Sequence, residues 1–492
     1  MSADSLLGIG AAIIAGALLA ATVAVGLSPI APIGPVRRIR PRPGFTVDWA
    51  TVGAGVGVLI TVLGAAAVIL GIRQVARPET WRSRRRASRA AHAAASAGLP
   101  VPAVAGIEFA LASGADDSSV PARSAVLGAM LAVVVMTGTL TFAASVDHLV
   151  SHPALYGWNW DFELFADSNE MPAQLAASQL NGDPDIAAWT GYYFATLQID
   201  GQNVPVLGAD PHAALAPPML AGHGLDALDE IVLGATTLAQ LHKHLGDTVQ
   251  VATDAVTKRL RIVGIATMPT VGNSGAVHPT MGTGAVLDAA LIPSSSKSPF
   301  GDPTAGPQAI FVKLKPGVDH VVALQTLQHI ASGLFPPDQI GAQALDVQRP
   351  AEIVNYRSMG RTLRRLGAGL AVGALIALGL TLIASVSRRR REFALLRALG
   401  FTNRQLAAVV AWQASTAALC GITIGIPFGI IGGRELWLLF ARSIHAVPVP
   451  TVPVQALVLT AVAGLLLANL IALIPTRAAA RVNPVSALRT NA

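Results

Sequence analysis

The sequence predicts an integral membrane α-helical protein with six transmembrane helices and one extracytoplasmic mixed α/β domain. Three observations carry that expectation. Of the 492 residues, 52% are apolar and only 13% are charged, a balance too apolar for an ordinary soluble protein at a length beyond one domain. Six apolar runs are each long enough to cross about 30 Å of hydrocarbon at about 1.5 Å per residue. Between the third and fourth runs lies a stretch of roughly 200 residues, within the usual domain range, with charges of both signs, many Pro and Gly, and strand-like alternation.

Residues 1–76 hold the first two spans. Leu6 to Leu27 has neither the basic start nor the cleavage site of a secretory signal, so it reads as a retained span. A Pro-rich link from Ser28 to Phe45 leads to Val47 to Ile72, the second span. Residues 77–122 are an Arg-rich linker and an elbow helix. Arg73, Arg77, Arg82, Arg84, Arg85, Arg86 and Arg89 mark this region as cytosolic by the positive-inside rule, which puts the N-terminus inside as well. Arg37, Arg38, Arg40 and Arg42 then face outward, outvoted by the larger cluster. Val101 to Ala112 reads as the interfacial elbow, and Ser124 to Val146, within 123–146, as the third span.

Residues 147–360 make the extracytoplasmic domain. Tyr156-Gly157-Trp158-Asn159-Trp160-Asp161 stands where the third span leaves the bilayer, the position of an interfacial aromatic anchor. Glu230 to Gly234 reads as a strand, Ala235 to Leu245 as a helix, and Thr248 to Ala252 and Arg259 to Ala266 as two more strands. Ala309 to Leu314 and Val318 to Leu334 repeat the strand-then-helix order, and Asn273 to Gly284, rich in Gly and short polar residues, reads as a mobile loop. Residues 361–492 complete the chain. Arg357, Arg361, Arg364 and Arg365 precede the fourth span, Leu366 to Val386, on an expected stalk helix. Leu406 to Gly432 is the fifth span and Val454 to Ile474 the sixth, with Arg477, Arg481 and Arg489 holding the tail in the cytosol. In the fifth, Gly421, Gly425, Gly429 and Gly433 recur every fourth residue, leaving one bare face where another helix can approach, and Pro427 predicts a kink.

The sharpest local pattern lies between the fourth and fifth spans. Phe393, Leu395, Leu396 and Leu399 recur at helical spacing, with Arg390, Arg391 and Arg397 mostly elsewhere. Gly400 can take the left-handed conformation that ends a helix, and Thr402 with Gln405 is a capping box that starts the next one. Such a segment either anchors the loop at the interface or receives a push from a partner and passes it to the fifth span.

The run Arg390-Arg391-Glu392-Phe393-Ala394-Leu395-Leu396-Arg397-Ala398-Leu399-Gly400 resembles the coupling segment of the FtsX/MacB-type ABC transporter permeases. Ala480-Arg481-Val482-Asn483-Pro484-Val485-Ser486-Ala487-Leu488-Arg489 is similar to the C-terminal signature of that family. The resemblance implies a permease without an ATPase of its own, with Glu392, Phe393, Leu395, Leu396, Arg397, Leu399 and Gly400 meeting an ABC ATPase subunit that binds ATP and Mg. It also implies that the chain corresponds to the second half of the long, duplicated members plus the pair of spans that joins their halves. A separate first half or a homodimer would supply the rest.

Missing chemistry narrows the function further. The span interiors hold essentially no ionisable side chain, which argues against ion-coupled transport. No Gly-Lys step exists, so no P-loop is encoded, and no catalytic constellation or cofactor motif is present. The only cysteine, Cys420, lies inside a span, and no Cys/His cluster has zinc spacing. His148 and His152 stand at i, i+4 without a carboxylate motif and read as a solvated pair; His242-Lys243-His244 reads as wet surface. The net charge of +7 comes from arginines beside apolar spans, which suits anionic membrane lipid rather than nucleic acid. Two readings stay open: a permease that transmits motion from an ATPase to move a lipid, lipoprotein or peptide, and a membrane-anchored regulator or sensor of cell-envelope processes.

Overall fold

The computed structural model describes residues 3–27, 89–111, 120–166, 170–253, 257–271, 279–293, 306–336, 341–350 and 395–480, with short pieces between 49 and 65 and between 353 and 376. The second and fourth expected spans, the arginine clusters before residue 89, Glu392, Phe393 and the C-terminal signature from Arg481 on lie wholly or mostly outside these residues. Two units emerge: Met1–Leu140 with Ser358–Ile431 and Pro453–Ala492, and Thr141–Arg357 with Gly432–Val452.

The first unit is helical. It contains α1 (Ala3–Leu27), α2 (Arg89–Ser96), α3 (Val101–Leu111) and the first part of α4 (Val120–Ser151). Among the described residues two helices are long and apolar enough to cross a membrane, Met130–Ser151 and Asn403–Ser443; six spans remain an expectation. α3 buries Ala103, Gly106 and Ala110 on one side, the i, i+3, i+7 stripe of a helix lying on a partner. A Cβ at Gly106 would sit 2.5 Å from Trp412 Cβ and 2.6 Å from Val409 O, so only glycine lets α3 lie this close to the helix Asn403–Ser443.

The second unit is the α/β domain. Its strands are β1 (Phe162–Phe165), β2 (Ile186–Ile199), β3 (Gln202–Ala209), β4 (Met219–Gly222) and β5 (Glu230–Gly234), then β6 (Thr248–Ala252), β7 (Thr257–Ala266), β8 (Ala285–Asp288), β9 (Ala309–Leu314) and β10 (Gln343–Asp346). They run in the order β10-β1-β9-β2-β3-β8-β5-β7-β4, with β6 against β2 and β7. The organising element is β2. Its first half, Ile186 to Tyr192, pairs antiparallel with β9; its second half, Tyr193 to Ile199, pairs antiparallel with β3. One long strand therefore belongs to two lobes. The β2–β3 hairpin turns on Asp200 (φ 45°) and Gly201 (φ 82°), the left-handed pair that matches strand twist.

Each lobe has its own core. Around β1, β9 and the start of β2, Phe162, Leu164, Ile310 and Val312 pack with the buried stripes of α5 (Ala173–Gly182) and α7 (His320–Gly333). α7 buries Ala323, Leu327, Ile330 and Ala331, and Asp319 caps it by accepting from the backbone of Val321 and Val322 at 2.8 and 3.2 Å. Around β3 and β5 to β8, Val206, Ile231, Leu233, Ile262 and Leu287 form the second core, with α6 (Ala235–Gln240) beside it. The expected strand from Glu230 to Gly234 has those bounds, and the helix after it stops at Gln240 rather than Leu245, because His242 adopts a positive φ of 55°.

Two expectations need correction here. Tyr156, Trp158 and Trp160 are not anchors at the lipid surface; they are buried, at 1–3% exposure, in a third core of the domain. A left-handed Gly157 (φ 102°) ends the 3₁₀ turn Pro153–Tyr156 and folds the chain inward, and Trp160 then stacks on Phe311 of β9 at 3.7 Å between ring centroids. The Gly-rich segment also has more structure than a mobile loop: residues 279–284 form a tight turn closed by Thr280 and Thr283, and Met281 is buried. Residues 272–278 lie outside the described chain.

Candidate functional site

The turn before the helix Asn403–Ser443 is built by two local devices. Leu395 to Ala398 is helical, and Gly400, at φ 95°, lets the amides of Gly400 and Phe401 reach back to the carbonyls of Arg397 and Leu396, both at 3.1 Å. This paired closure satisfies the last carbonyls of the turn. Thr402 then opens α8 (Asn403–Ser443): its amide donates to Gln405 Oε1 at 2.8 Å and the Gln405 amide donates to Thr402 Oγ1 at 3.3 Å. Stop and restart are thus three residues apart, and the direction of the turn relative to α8 is fixed by backbone hydrogen bonds.

The apolar side chains of the turn divide in a way that periodicity alone does not show. Leu396 is half-buried and packs, with Phe401 and Phe109, against a core of Leu406, Val409, Val410 and Ala414. Leu395 and Leu399 are 56% and 78% exposed. Leu396, expected on the outward anchor face, is therefore a fastening of the turn to its own bundle; Leu395 and Leu399 are the apolar surface that the turn presents. Arg397 is partly buried beside them.

α8 runs from the capping box through Pro427 to Ser443 as one 41-residue helix. Gly421, Gly425, Gly429 and Gly433 are all buried along it. A Cβ at Gly425 would lie 2.8 Å from Val133 Cβ, and one at Gly429 2.6 Å from Thr137 Cβ and 2.7 Å from Val134 O, so this part of the glycine row is taken up by α4 of the same chain. α9 (Val454–Ala480) is tied to α8 by a polar pair, Asn469 Nδ2 donating to Ser415 Oγ at 2.9 Å.

Comparison with known proteins decides what this arrangement belongs to. Residues 366–484 match the FtsX-like permease C-terminal family, and residues 124–330 match the MacB-like periplasmic core domain. The chain thus combines an FtsX-like permease domain with a MacB-like periplasmic core domain, the pairing of the FtsX/MacB-type ABC transporter permeases that it resembles. Two uncharacterized ABC transporter permeases of Mycobacterium tuberculosis, from the CDC 1551 / Oshkosh and H37Rv strains, are 30% identical over 271 residues. The match covers 54% of this chain and 66% of each relative, so the chain spans just under two thirds of their length. Among solved structures, the periplasmic region of MacB from Actinobacillus actinomycetemcomitans is 12% identical, covering 44% of this chain and 97% of its own at a TM-score of 0.27. The extracellular domain of the transporter YknZ from Gram-positive bacteria is 12% identical, covering 38% and 99% at a TM-score of 0.25. At these scores the assignment rests on the family matches and not on the solved structures.

An FtsX/MacB-like permease is membrane-embedded with an extracytoplasmic domain, and the match to that domain falls on the α/β unit. The far end of α8 is built into that domain. Trp437 is fully buried, with Phe142 of α4 and Phe440 at ring-centroid distances of 5.9 and 5.8 Å. The loop after α8 continues the attachment: Val447 donates to Leu155 O at 2.9 Å, Thr267 Oγ1 to His445 O at 2.9 Å, and Thr451 to Ser145 Oγ at 3.0 Å. Burial pulls the His445 imidazole below its ordinary pKa where its ring lies beside Gly282. None of these contacts has a signal in the sequence, because residues 432–452 are remote in the chain from the sheet they join.

The remaining candidates sit on the surface of the domain or at its edge. The His148 and His152 rings lie 3.8 Å apart, one on the last turn of α4 and the other just past its end. Lys243 pairs with Asp200 at 3.3 Å and donates to Thr248 O at 3.1 Å, so part of the His242-Lys243-His244 run is engaged in closing a hairpin.

Proposed function

We propose that this chain is the permease subunit of an ABC transporter that transmits motion from a separate ATPase, which binds ATP and Mg²⁺, to the extracytoplasmic α/β domain. The observation that carries the reading is α8: it starts at the capped turn that presents Leu395 and Leu399, and its last turns, with Trp437, are part of the α/β domain core. A push on the turn is delivered to a helix whose other end is packed among aromatic rings, and close-packed interiors transmit strain rather than absorb it. The exposed leucines suit a helix-in-groove contact with the ATPase, in which Glu392 and Arg397 set the register. The substrate class that this family reading favours is a lipid, lipoprotein or peptide, moved or extruded without ion coupling. A second permease half or a second copy of this chain would complete the assembly, meeting it on a surface other than the stretch of α8 already covered by α4 at Gly425 and Gly429.

The test is gentle purification of the full chain and identification of what accompanies it. An ATPase whose turnover changes when the permease is added supports the proposal, and Trp437→Ala should then leave the ATPase bound while uncoupling its hydrolysis from transport. Retention of a cell-wall enzyme with no ATPase would replace the transporter with the regulator.

A further inference from the structure

We infer that the cavity beneath the two loops flanking β4 is a binding site for a small organic ammonium ion, its apolar body the size of a single aromatic ring and its charge at the mouth beside Asp210 and Asp226. The inference does not depend on what the permease transports. The cavity holds about 180 Å³. Its floor is one face of the sheet: Tyr192 of β2, Ala209 of β3, Val286 of β8, Val232 of β5 and Ala266 of β7 follow one another in strand order and share one core. Its roof is the chain on either side of β4, with Ala213, Ala216 and Pro217 before that strand and Gly224 and Leu225 after it.

Two features keep this space open. Small residues stand where floor and roof face each other, at Ala209, Ala213, Ala216, Gly224 and Ala266, so no long side chain from these positions fills the gap. The roof is also held at a fixed height. Leu215, buried in the core, accepts from the Tyr192 hydroxyl at 2.7 Å through its carbonyl and donates its amide to Thr190 Oγ1 at 3.1 Å. Further along, Pro218 O accepts from the Thr267 amide at 2.9 Å, and the His212 amide donates to Leu225 O at 3.2 Å, tying the two loops together. Such preorganisation lowers the cost of binding. Close-packed interiors leave few voids of this kind, and an apolar cavity of about 150 Å³ already takes up benzene. The space is too small for a drug-sized molecule, whose pockets begin near about 300 Å³.

Charge at the mouth selects the ligand. Besides Tyr192, whose hydroxyl is engaged by Leu215, the titratable residues lining the cavity are Asp210, His212 and Asp226, all exposed. Among the described residues no lysine or arginine lines it. Arg261, which reaches the same loop from β7, is taken up by Glu230 at 3.0 Å, and Glu230 in turn accepts from the amides of Asp226 and Ala227 at 2.9 and 3.2 Å. Asp226 is thereby fixed at the mouth, its Oδ1 3.3 Å from His212 Nδ1 of the other loop. Two carboxylates with no lysine or arginine between them repel a fatty acid, a phosphate or any other anion. They attract an ammonium group whose apolar substituent fills the cavity behind it.

The experiment uses the full chain in lipid nanodiscs near neutral pH, with empty nanodiscs as the background and binding followed by saturation-transfer NMR. Three probes share one shape and differ in charge: phenethylamine, phenethyl alcohol and hydrocinnamate. Wild type is expected to bind the amine saturably and most tightly, the alcohol less and the carboxylate least. Asp210→Asn with Asp226→Asn should weaken the amine about 5- to 30-fold, the worth of two exposed ion pairs, and leave the alcohol unchanged. Ala213→Leu, which fills the cavity from the roof, should abolish binding of amine and alcohol alike, as should Ala216→Leu from its exposed side; the thermal midpoint reports whether each filled domain is folded. The probe series on wild type and on the aspartate variant tests the site even where a filled domain is unstable. Amine binding that survives both filling variants, a carboxylate bound as tightly as the amine, an affinity for the amine unmoved by loss of the two aspartates, or wild type without saturable binding would each overturn the inference.

Discussion

Glu163 offers a direct check on the α/β domain as described. It sits on β1, in register with Phe311 of β9 and Leu345 of β10, is fully buried, and neither carboxyl oxygen has a hydrogen-bond partner among the described residues. Burial alone pushes its carboxyl well above the usual carboxylate range. The folded domain therefore holds this proton to a higher pH than the unfolded chain does. For such a group, stability is fully present below the unfolded pKa of about 4.3 and is lost as pH rises toward the folded value, by at most about 1.4 kcal/mol per pH unit. Glu163→Gln keeps the shape and removes the titration, so its stability should be flat where the wild type declines. Glu163→Met removes a buried unpaired polar group, a gain on the order of 1–3 kcal/mol that should be largest at the alkaline end. Urea unfolding of the detergent-solubilised chain, followed by tryptophan fluorescence, reads the same core, because Trp158, Trp160 and Trp437 lie in it. Parallel wild-type and Glu163→Gln curves from about pH 5 to about pH 8 would refute the reasoning, since the carboxyl would then be solvated or paired.

Other outcomes can be measured on the same preparation. Gly425→Leu should lower the thermal midpoint, because even an alanine there must widen a 2.8 Å contact toward the 3.4 Å of ordinary packing; overpacking of this kind costs about 1–3 kcal/mol. Gly432→Leu is the matched control, as a Cβ there meets nothing within 4 Å, and equal effects of the two would mean that α4 does not cover the glycine face. Leu395→Ala with Leu399→Ala should weaken binding of an ATPase by about 1.5–3 kcal/mol per leucine buried in the contact. Leu396→Ala should instead lower the stability of the helical unit, and the reverse pattern would show that the turn docks by another face. A cysteine at the exposed Ser178, in a Cys420→Ala background, should react with an impermeant maleimide in intact cells; protection there would put the α/β domain on the cytosolic side.

Much of the local structure was legible in the sequence because local forces decide it. Gly400, Thr402 and Gln405 act within a few residues of chain, and their stop and restart are where the residue types place them. The strands from Glu230 to Gly234 and from Ala309 to Leu314 are short runs centred on Ile, Val, Leu and Phe, a composition that suits a strand covered on both faces, and the close helix contact at Gly425 follows from four-residue spacing. Membrane character came from composition, which needs no geometry at all. Tertiary structure alone decided which apolar group faces where. An aromatic cluster after a span satisfies the interface and a protein core equally well, and only the left-handed turn at Gly157 with the ring of Phe311 waiting beyond it buries Tyr156, Trp158 and Trp160. Helical periodicity puts Leu395, Leu396 and Leu399 on neighbouring positions, but the bundle takes Leu396 and leaves the other two exposed. The seating of Trp437 in a sheet some 200 positions away in the chain, and the meeting of His212 with Asp226 across two loops, depend on contacts whose partners are distant in sequence. No pattern along the chain encodes a neighbour that only folding supplies.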